Sequence, residues 1–336
     1  MTETQRVLSE TPIPISGDLL SDLLGNMHLT GVVLFRTSFR EPWGLISPAA
    51  SDLSRMLSFR TEHIIPFHII AEGGCWLELK DREPVWLNAG DAVLLPYGEQ
   101  HGLSGRQDAD RVPADQLLPP PPWPEILVVE HGGHGECTQI ICGFLQCDEL
   151  LFHPLLRHLP ELMHVSPGQN PNDDWLANTI RHTAHEAIQV APGGRSMLPR
   201  LTELMFVEIL RKHMQALSTN EVGWFAAVND PLIGTALKLL HQSPLEDWNV
   251  DRLARLVGVS RTALAERFKY FLDMPPMHYL TYWRLQLAAQ RLKTSDTPVK
   301  GIANLAGYES EEAFSRAFKR HFGLPPGDWR RRQTTP

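Results

Sequence analysis

Two groups of side chains in this 336-residue chain have the types and spacing to do chemistry. The first lies near the C-terminal end. Arg261, Thr262, Ala265, Glu266 and Lys269 follow one another at helical spacing, and Glu311, Glu312, Ser315, Arg316, Lys319 and Arg320 repeat the arrangement further on. Residues three and four apart on a helix share a face. A face of this kind is suited to duplex DNA: Arg can pair with the guanine edge, a Thr methyl can meet the thymine methyl, and Glu can accept from the cytosine amino group. Arg316 is the strongest base-contact candidate. Arg261 is a candidate for guanine or phosphate, and Lys319 and Arg320 are spaced to hold phosphates and so set register. Arg267 lies beside the first set. The acidic members Glu266, Glu311 and Glu312 would weaken contacts to the wrong sites.

The second group lies in the first half of the chain. His68, Glu72, Trp76, Tyr97 and His101 are candidates for binding an effector. Neutral imidazoles at His68 and His101 suit a divalent metal such as zinc, nickel or iron, and suit hydrogen bonding to an organic molecule equally well. His131, His134 and Cys137 gather soft and borderline ligands in one Gly-rich turn, either as a metal cluster or as an ordinary turn.

The elements that must position these groups can be read from periodicity. Asp18–Leu24 predicts a short amphipathic helix. From Leu29 to about Cys147, short β-branched runs are punctuated by glycines: Val32–Phe35, Ile64–Ile65, Phe67–Ile70, Cys75–Leu79, Val85–Leu87, Ala92–Leu95, Ile126–Val129 and Gln139–Phe144. Many short strands at close spacing predict an antiparallel barrel or jelly roll. Val112–Pro124, with Pro119–Pro122, predicts an exposed polyproline-type loop. Beyond Asp148 the period becomes helical. Asp173 and Asp174 are placed to cap a helix through Trp175, Ile180 and Ile188, Pro192-Gly193-Gly194 breaks it, and a second helix runs from about Pro199 to Ala216. Its wide apolar stripe fits packing within the chain or against a second copy. Ser218–Asp230 reads as a hinge.

The tail is an internal duplication. Val250–Lys269 and Val299–Lys319 each read as helix, turn, helix, with Ala254 matching Ala303, Gly258 matching Gly307, Phe268 matching Phe318, and Pro-Pro pairs closing both copies. Ser260 and Ser310 are placed to cap the second helix of each copy. Thr297-Pro298 reads as a cap followed by proline at the first helical position. A helix over Met277–Lys293 joins the copies and would set the separation of the two reading heads, which on one face of DNA is about 34 Å.

Charge agrees with this division. Residues 230–336 hold 16 Lys and Arg against 11 Asp and Glu, whereas residues 1–229 hold 15 against 28. A basic tail on an acidic body directs a polyanion to the tail alone. The four cysteines form no C-x-x-C pair, and Met1–Glu10 is polar with no apolar run behind it. Both point to reduced thiols in the cytoplasm. No run of apolar residues is long enough to span a membrane.

Gly301-Ile302-Ala303, Gly307-Tyr308 and Phe314-Ser-Arg-Ala-Phe-Lys-Arg-His-Phe-Gly-Leu-Pro-Pro326 together resemble the AraC/XylS family of bacterial transcription regulators, over about residues 231–331. Gly90-Asp-Ala-Val-Leu-Leu-Pro96-Tyr-Gly98-Glu-Gln-His101 resembles the second motif of the cupin barrels. The first cupin motif is poorer: His68 and Glu72 fit two of its ligand positions, but Pro66 stands at a third.

The resemblance implies an α+β multidomain protein: a cupin-like sensor β-barrel (1–147), a helical linker and dimerisation segment (148–228), and an all-α double helix-turn-helix domain (229–336). It implies a homodimeric regulator, not an enzyme, which binds double-stranded promoter DNA, answers to a small molecule or metal, and contacts RNA polymerase if it activates. Two other readings remain at this point, a cupin metalloenzyme carrying a DNA-binding tail and an effector-independent regulator whose barrel serves assembly.

Overall fold

The computed structural model describes residues 18–25, 29–57, 64–121, 123, 126–147, 159–166, 175–189, 191–218 and 221–334. The caps expected at Asp173 and Asp174 lie outside the described residues. The chain forms two compact units. A sheet-rich unit spans Met27–Thr219, and a helical unit combines Met1–Asn26 with Asn220–Pro336. No helix among the described residues is long and apolar enough to cross a membrane.

The sheet-rich unit is built from two facing sheets rather than one closed barrel. Six strands are ordered β11 (Met163–Val165), β6 (Ala92–Leu94), β3 (Ile64–Glu72), β10 (Cys137–Cys147), β1 (Leu29–Arg40) and β9 (Leu127–Gly132). The other sheet runs β5 (Val85–Asn88), β4 (Gly74–Leu79), β7 (His101–Ser104), β2 (Gly44–Ser47) and β8 (Val112–Pro113). Side chains alternate across a strand, so every second residue of β4 points inward, and Cys75, Leu77 and Leu79 are buried. Cys75 and Leu77 meet Ile70, Val93, Ile140 and Cys142 of the facing sheet in one core. The start of the expected polyproline loop is strand instead. Val112 and Pro113 pair in parallel with Leu45 and Ile46 at the sheet edge, where a missing proline N–H costs no ladder bond. Gly98 of the Pro-x-Gly turn has positive φ, and a Cβ there would lie 2.2 Å from the Ala50 methyl carbon.

The predicted linker helices belong to this unit. α3 (Trp175–Ile188) and α4 (Gly194–Ala216) pack on each other and on β1, with α3 also against β3. α4 begins at Gly194, not Pro199. Burial of Leu198, Thr202, Met205, Phe206, Ile209 and Leu210 on one face outweighs the single intrahelical bond that Pro199 cannot make. Its opposite face leaves Met197 and Leu204 about half exposed.

In the helical unit, α1 (Leu19–Gly25) packs against α6 (Pro231–Gln242), and Leu19 and Leu20 are buried. Six residues of the expected hinge form a helix. α5 (Trp224–Asn229) buries Trp224, Phe225, Ala226 and Ala227, because an aromatic pair followed by small residues can enter a core. α6 is capped by Asp230, whose carboxylate accepts from the amides of Leu232 and Ile233. Next come α7 (Val250–Leu256), α8 (Arg261–Leu272), the long α9 (Pro276–Thr294), α10 (Val299–Leu305), α11 (Glu311–Phe322) and α12 (Pro326–Thr334).

α5, α6 and α9 meet at an aromatic knot. The Tyr279 hydroxyl accepts from Trp224 Nε1 (3.0 Å) and lies 2.8 Å from His241 Nε2, and the His241 ring stacks on Trp283 with centroids 3.9 Å apart. Burial pushes the His241 imidazole down to about 3, so it is neutral in the folded state. An unfolded histidine takes up its proton near pH 6.5. This group's contribution is therefore complete above that pH and is lost as pH falls from about 6.5 toward 3. At pH 5 the loss is about 2 kcal/mol. The helical unit should lose that much opening free energy between pH 7 and pH 5, read from hydrogen exchange of α6 and α9 amides. His241→Gln should flatten the dependence, and an unchanged slope in that variant would assign it elsewhere.

Candidate DNA interface and the histidine pair

The second helix of each copy, α8 and α11, buries one side and leaves the other largely exposed. In the first copy Asn249 caps α7 by accepting from the Arg252 amide (2.8 Å), Gly258 turns the chain at φ +77°, and Ser260 caps α8 by accepting from the Ala263 amide (3.2 Å). Leu264 and Phe268 go into the core, whereas Arg261, Thr262, Glu266 and Lys269 are exposed and Ala265 is half-buried. In the second copy Gly307 turns at φ +79° and Ser310 accepts from the Ala313 amide (3.1 Å). Phe314, Ala317 and Phe318 are buried, Glu311, Glu312, Arg316, Lys319 and Arg320 are exposed, and Ser315 is half-buried. Glu311 and Glu312 sit in the first turn, where the helix dipole favours negative charge, and Lys319 and Arg320 sit in the last. All eleven candidates thus lie on α8 and α11, nine of them exposed and two half-buried.

Arg267 is exposed beside the outward set, as expected, but its guanidinium grips Asp230, with Nε 3.2 and 3.1 Å from the two carboxylate oxygens and Nη2 closer still. Burial alone would raise the Asp230 carboxyl. Hydrogen bonds from Arg267 and from the amides of Ile233 and Leu232 outweigh burial and hold it below the ordinary value. One carboxylate thus caps α6 and ties down α8. Thr297 is not a cap. Pro298 occupies that position with no side-chain bond, and the Thr297 hydroxyl accepts from Ser295 Oγ instead (3.2 Å).

In the sheet-rich unit, β3 and β7 bring His68 and His101 together across the sandwich. Their Nε2 atoms are 2.7 Å apart and both rings are buried. Cys142 stands opposite His68 in the β3–β10 register, its Sγ 3.0 Å from His68 Nδ1, and His101 Nδ1 lies 2.9 Å from the Glu99 carbonyl oxygen. Burial drives the His68 imidazole well below its ordinary value, with His101 adding to the effect. It takes His101 down to about 4 against the opposing pull of the Glu99 carbonyl. Both rings are neutral, which fixes every proton. The Glu99 carbonyl can only accept, so His101 Nδ1 donates to it and His101 Nε2 accepts from His68 Nε2–H. That leaves His68 Nδ1 to accept from the Cys142 thiol. The result is a one-way relay from Cys142 through His68 and His101 to the backbone of Glu99.

The other effector candidates do not join this pair. Glu72 is exposed at the end of β3. Trp76 points outward from β4 and packs on Trp86, with centroids 5.3 Å apart. Tyr97 is largely exposed, and its hydroxyl donates to the Leu159 carbonyl (2.9 Å). In the Gly-rich turn His131 lies edge-on to Phe39, Cys137 is beside Ser38, and His134 is exposed.

The profile of the cupin family matches residues 18–215, and that of a helix-turn-helix domain matches residues 253–332. A Streptomyces lividans protein described as an AraC-like transcription regulator is 32% identical over 83% of this chain and 90% of its own length. The HTH-type transcriptional regulator AlkR of Acinetobacter baylyi is 31% identical over 78% of this chain and 86% of its own. The chain belongs to the AraC family of transcriptional regulators. A crystal structure of an AraC-type regulator from Chromobacterium violaceum aligns at 30% identity over 33% of this chain and 98% of that one, with a TM-score of 0.31.

As an AraC regulator with an N-terminal cupin domain, the protein acts by binding DNA and is not an enzyme. The residues at its cupin motifs do not fit a three-His-one-Glu metal centre. Pro66 has no donor, Glu72 faces solvent, and the two imidazole Nε2 atoms are committed to each other. Among the described residues no group of three or more His, Cys, Asp or Glu side chains is arranged to hold a metal. Cys142 was missed from the sequence as a partner of His68, because only the register of β10 against β3 brings it there.

Replacing His101 with Leu leaves one polar atom of the His68 ring buried without a partner. It should therefore destabilise the sheet-rich unit by about 1–3 kcal/mol. Cys142→Ser, which keeps a donor at the same place, should cost distinctly less. Exchange of β3 and β7 amides reads both variants, and equal costs would contradict the relay.

Proposed function

We propose that this AraC regulator reads promoter DNA with two helices of one chain, α8 and α11, lying in successive major-groove segments. The observation that carries this is the pairing of two serine-capped helices whose buried sides are spent on the core and whose opposite sides are exposed and rich in Arg and Lys. Arg316 contacts a base edge. Arg261 contacts guanine or phosphate, Thr262 a thymine methyl and Glu266 a cytosine amino group, and Lys319 and Arg320 hold phosphates. Ala265, Lys269, Glu311, Glu312 and Ser315 complete the two faces.

The sheet-rich unit serves as the sensor of a small organic effector. A cavity of about 290 Å³ is lined by Leu77, Leu79, Val85, Leu162, Arg82 and Glu83. Leu79 pairs with His101 in register, so an effector seated there lies next to the end of the relay. Effector binding changes transcription by favouring one arrangement of the regulator over another. Two copies associate through α4, where Met197, half-buried Leu201 and Leu204 form a stripe on the face turned away from β1. The regulator works in the cytoplasm and contacts RNA polymerase where it activates.

Arg316→Ala should cost about 1–3 kcal/mol at a site selected from randomised duplexes and should relax one base position. Lys319→Ala should weaken all sequences alike and lower the salt slope by about 1. Unaltered site selection by Arg316→Ala would remove that residue from the base-contact set. Met197→Glu combined with Leu204→Glu should turn a dimer into a monomer in sedimentation equilibrium, and a persisting dimer would place the subunit contact elsewhere.

A further inference from the structure

The two reading heads must be held at a fixed separation, and the long helix between them carries an unusual arginine. From the middle of α9, Arg284 sends Nε to the Pro244 carbonyl oxygen (2.6 Å) and Nη2 to the Glu246 carbonyl oxygen (2.9 Å). Both acceptors lie in the loop that leads into α7 of the first copy. The remaining nitrogen, Nη1, lies 3.1 Å from where a Cβ on Gly307 would stand, at the turn of the second copy. One half-buried guanidinium thus touches the entry of the first head and the turn of the second.

The surroundings give this contact weight. Beside Arg284 lies a crevice of about 50 Å³, with Pro244 and Leu245 on the first-copy side and Ile302, Leu305 and Ala306 on the second. Leu245 and Leu305 are substantially exposed, so apolar packing between the copies is incomplete here. The turn amides bond within their own copies. The Val259 amide donates to the Ala254 carbonyl, and the Tyr308 amide donates to the Ala303 carbonyl. Each head is locally complete, and Arg284 acts between them. A guanidinium suits this role because its planar fork can hold two carbonyls in one orientation, which an ammonium cannot.

We propose that Arg284 is a positioning residue for DNA reading: it braces the first head against the turn of the second and so sets which spacing of two base blocks the regulator accepts. Gly307 serves the same contact, since a side chain there would push against the guanidinium as well as oppose the positive φ. Arg284 itself touches no DNA. The proposal rests on the two-helix reading mode above.

The test uses full-length protein and duplexes selected from a random pool by the wild type. Three kinds of probe are compared: the selected two-block site, the same site with one to three base pairs inserted between blocks, and duplexes carrying a single block. Wild type should bind the two-block site most tightly and lose affinity steeply on insertion. Arg284→Met keeps the apolar stem. It should bind the two-block site at least tenfold more weakly, bind single blocks within twofold of wild type, and discriminate little between spacings. Arg284→Lys should behave like the Met variant, because it keeps charge and stem without the fork. It also supplies the reading should Arg284→Met fail to give a cooperative melt. Spacing discrimination that survives in a folded variant overturns the brace, as does equal loss on single-block and two-block duplexes. A wild type indifferent to spacing overturns the two-helix reading itself, and with it the brace.

Discussion

A helix can read a groove only if everything that holds it comes from its other side. That constraint orders the helical unit. Phe268 on α8 and Phe314 and Phe318 on α11 are fully buried, and each serine cap accepts from one amide in the first turn of its helix. Further holding contacts come from α6 and α9. Asp230 grips Arg267 from the start of α6, and Arg284 reaches both copies from α9. Arg284 is tied to backbone carbonyls, Arg261 and Arg267 lie exposed on α8 beside the carboxylates of Asp251 and Asp230, and Arg316 is exposed on α11.

The sheet-rich unit solves a different problem, the burial of polar groups. Two imidazoles and a thiol in an apolar sandwich would each be costly if unpaired. Arranged as a relay ending on a backbone carbonyl, the His–His and Cys–His contacts each have a donor and an acceptor. The same arrangement commits the two imidazole Nε2 atoms to each other. It joins the two sheets, with His68 on one and His101 on the other.

What the amino-acid sequence revealed and what it hid divide along the range of the interactions. Ser260 and Ser310 were legible as caps and Gly258 and Gly307 as turns, because those interactions lie within a few residues. Buried stripes such as Leu264 with Phe268 were legible by periodicity. The fate of Arg267 was not, since it shows a charge at an outer position and its partner Asp230 comes from another helix. The helix at Trp224–Asn229 looked like a hinge, because six residues are too few to show a period and their burial depends on Tyr279 far along the chain. Two facing sheets and a closed barrel likewise require the same alternating strands, and only long-range pairing separates them. For the candidate site, the outward positions on α8 and α11 were legible from local pattern, whereas the grouping of the effector candidates was not. Of its five residues only His68 and His101 meet, and Cys142, which completes their hydrogen bonding, is brought in by strand register.

The central claim is that one chain presents two reading helices to one face of a duplex. Hydroxyl-radical footprinting of the full-length protein on its selected duplex tests it most directly. Two protected patches on the same face, with centres about 10 base pairs apart, are the predicted result. A single patch, or two patches on opposite faces, would contradict it.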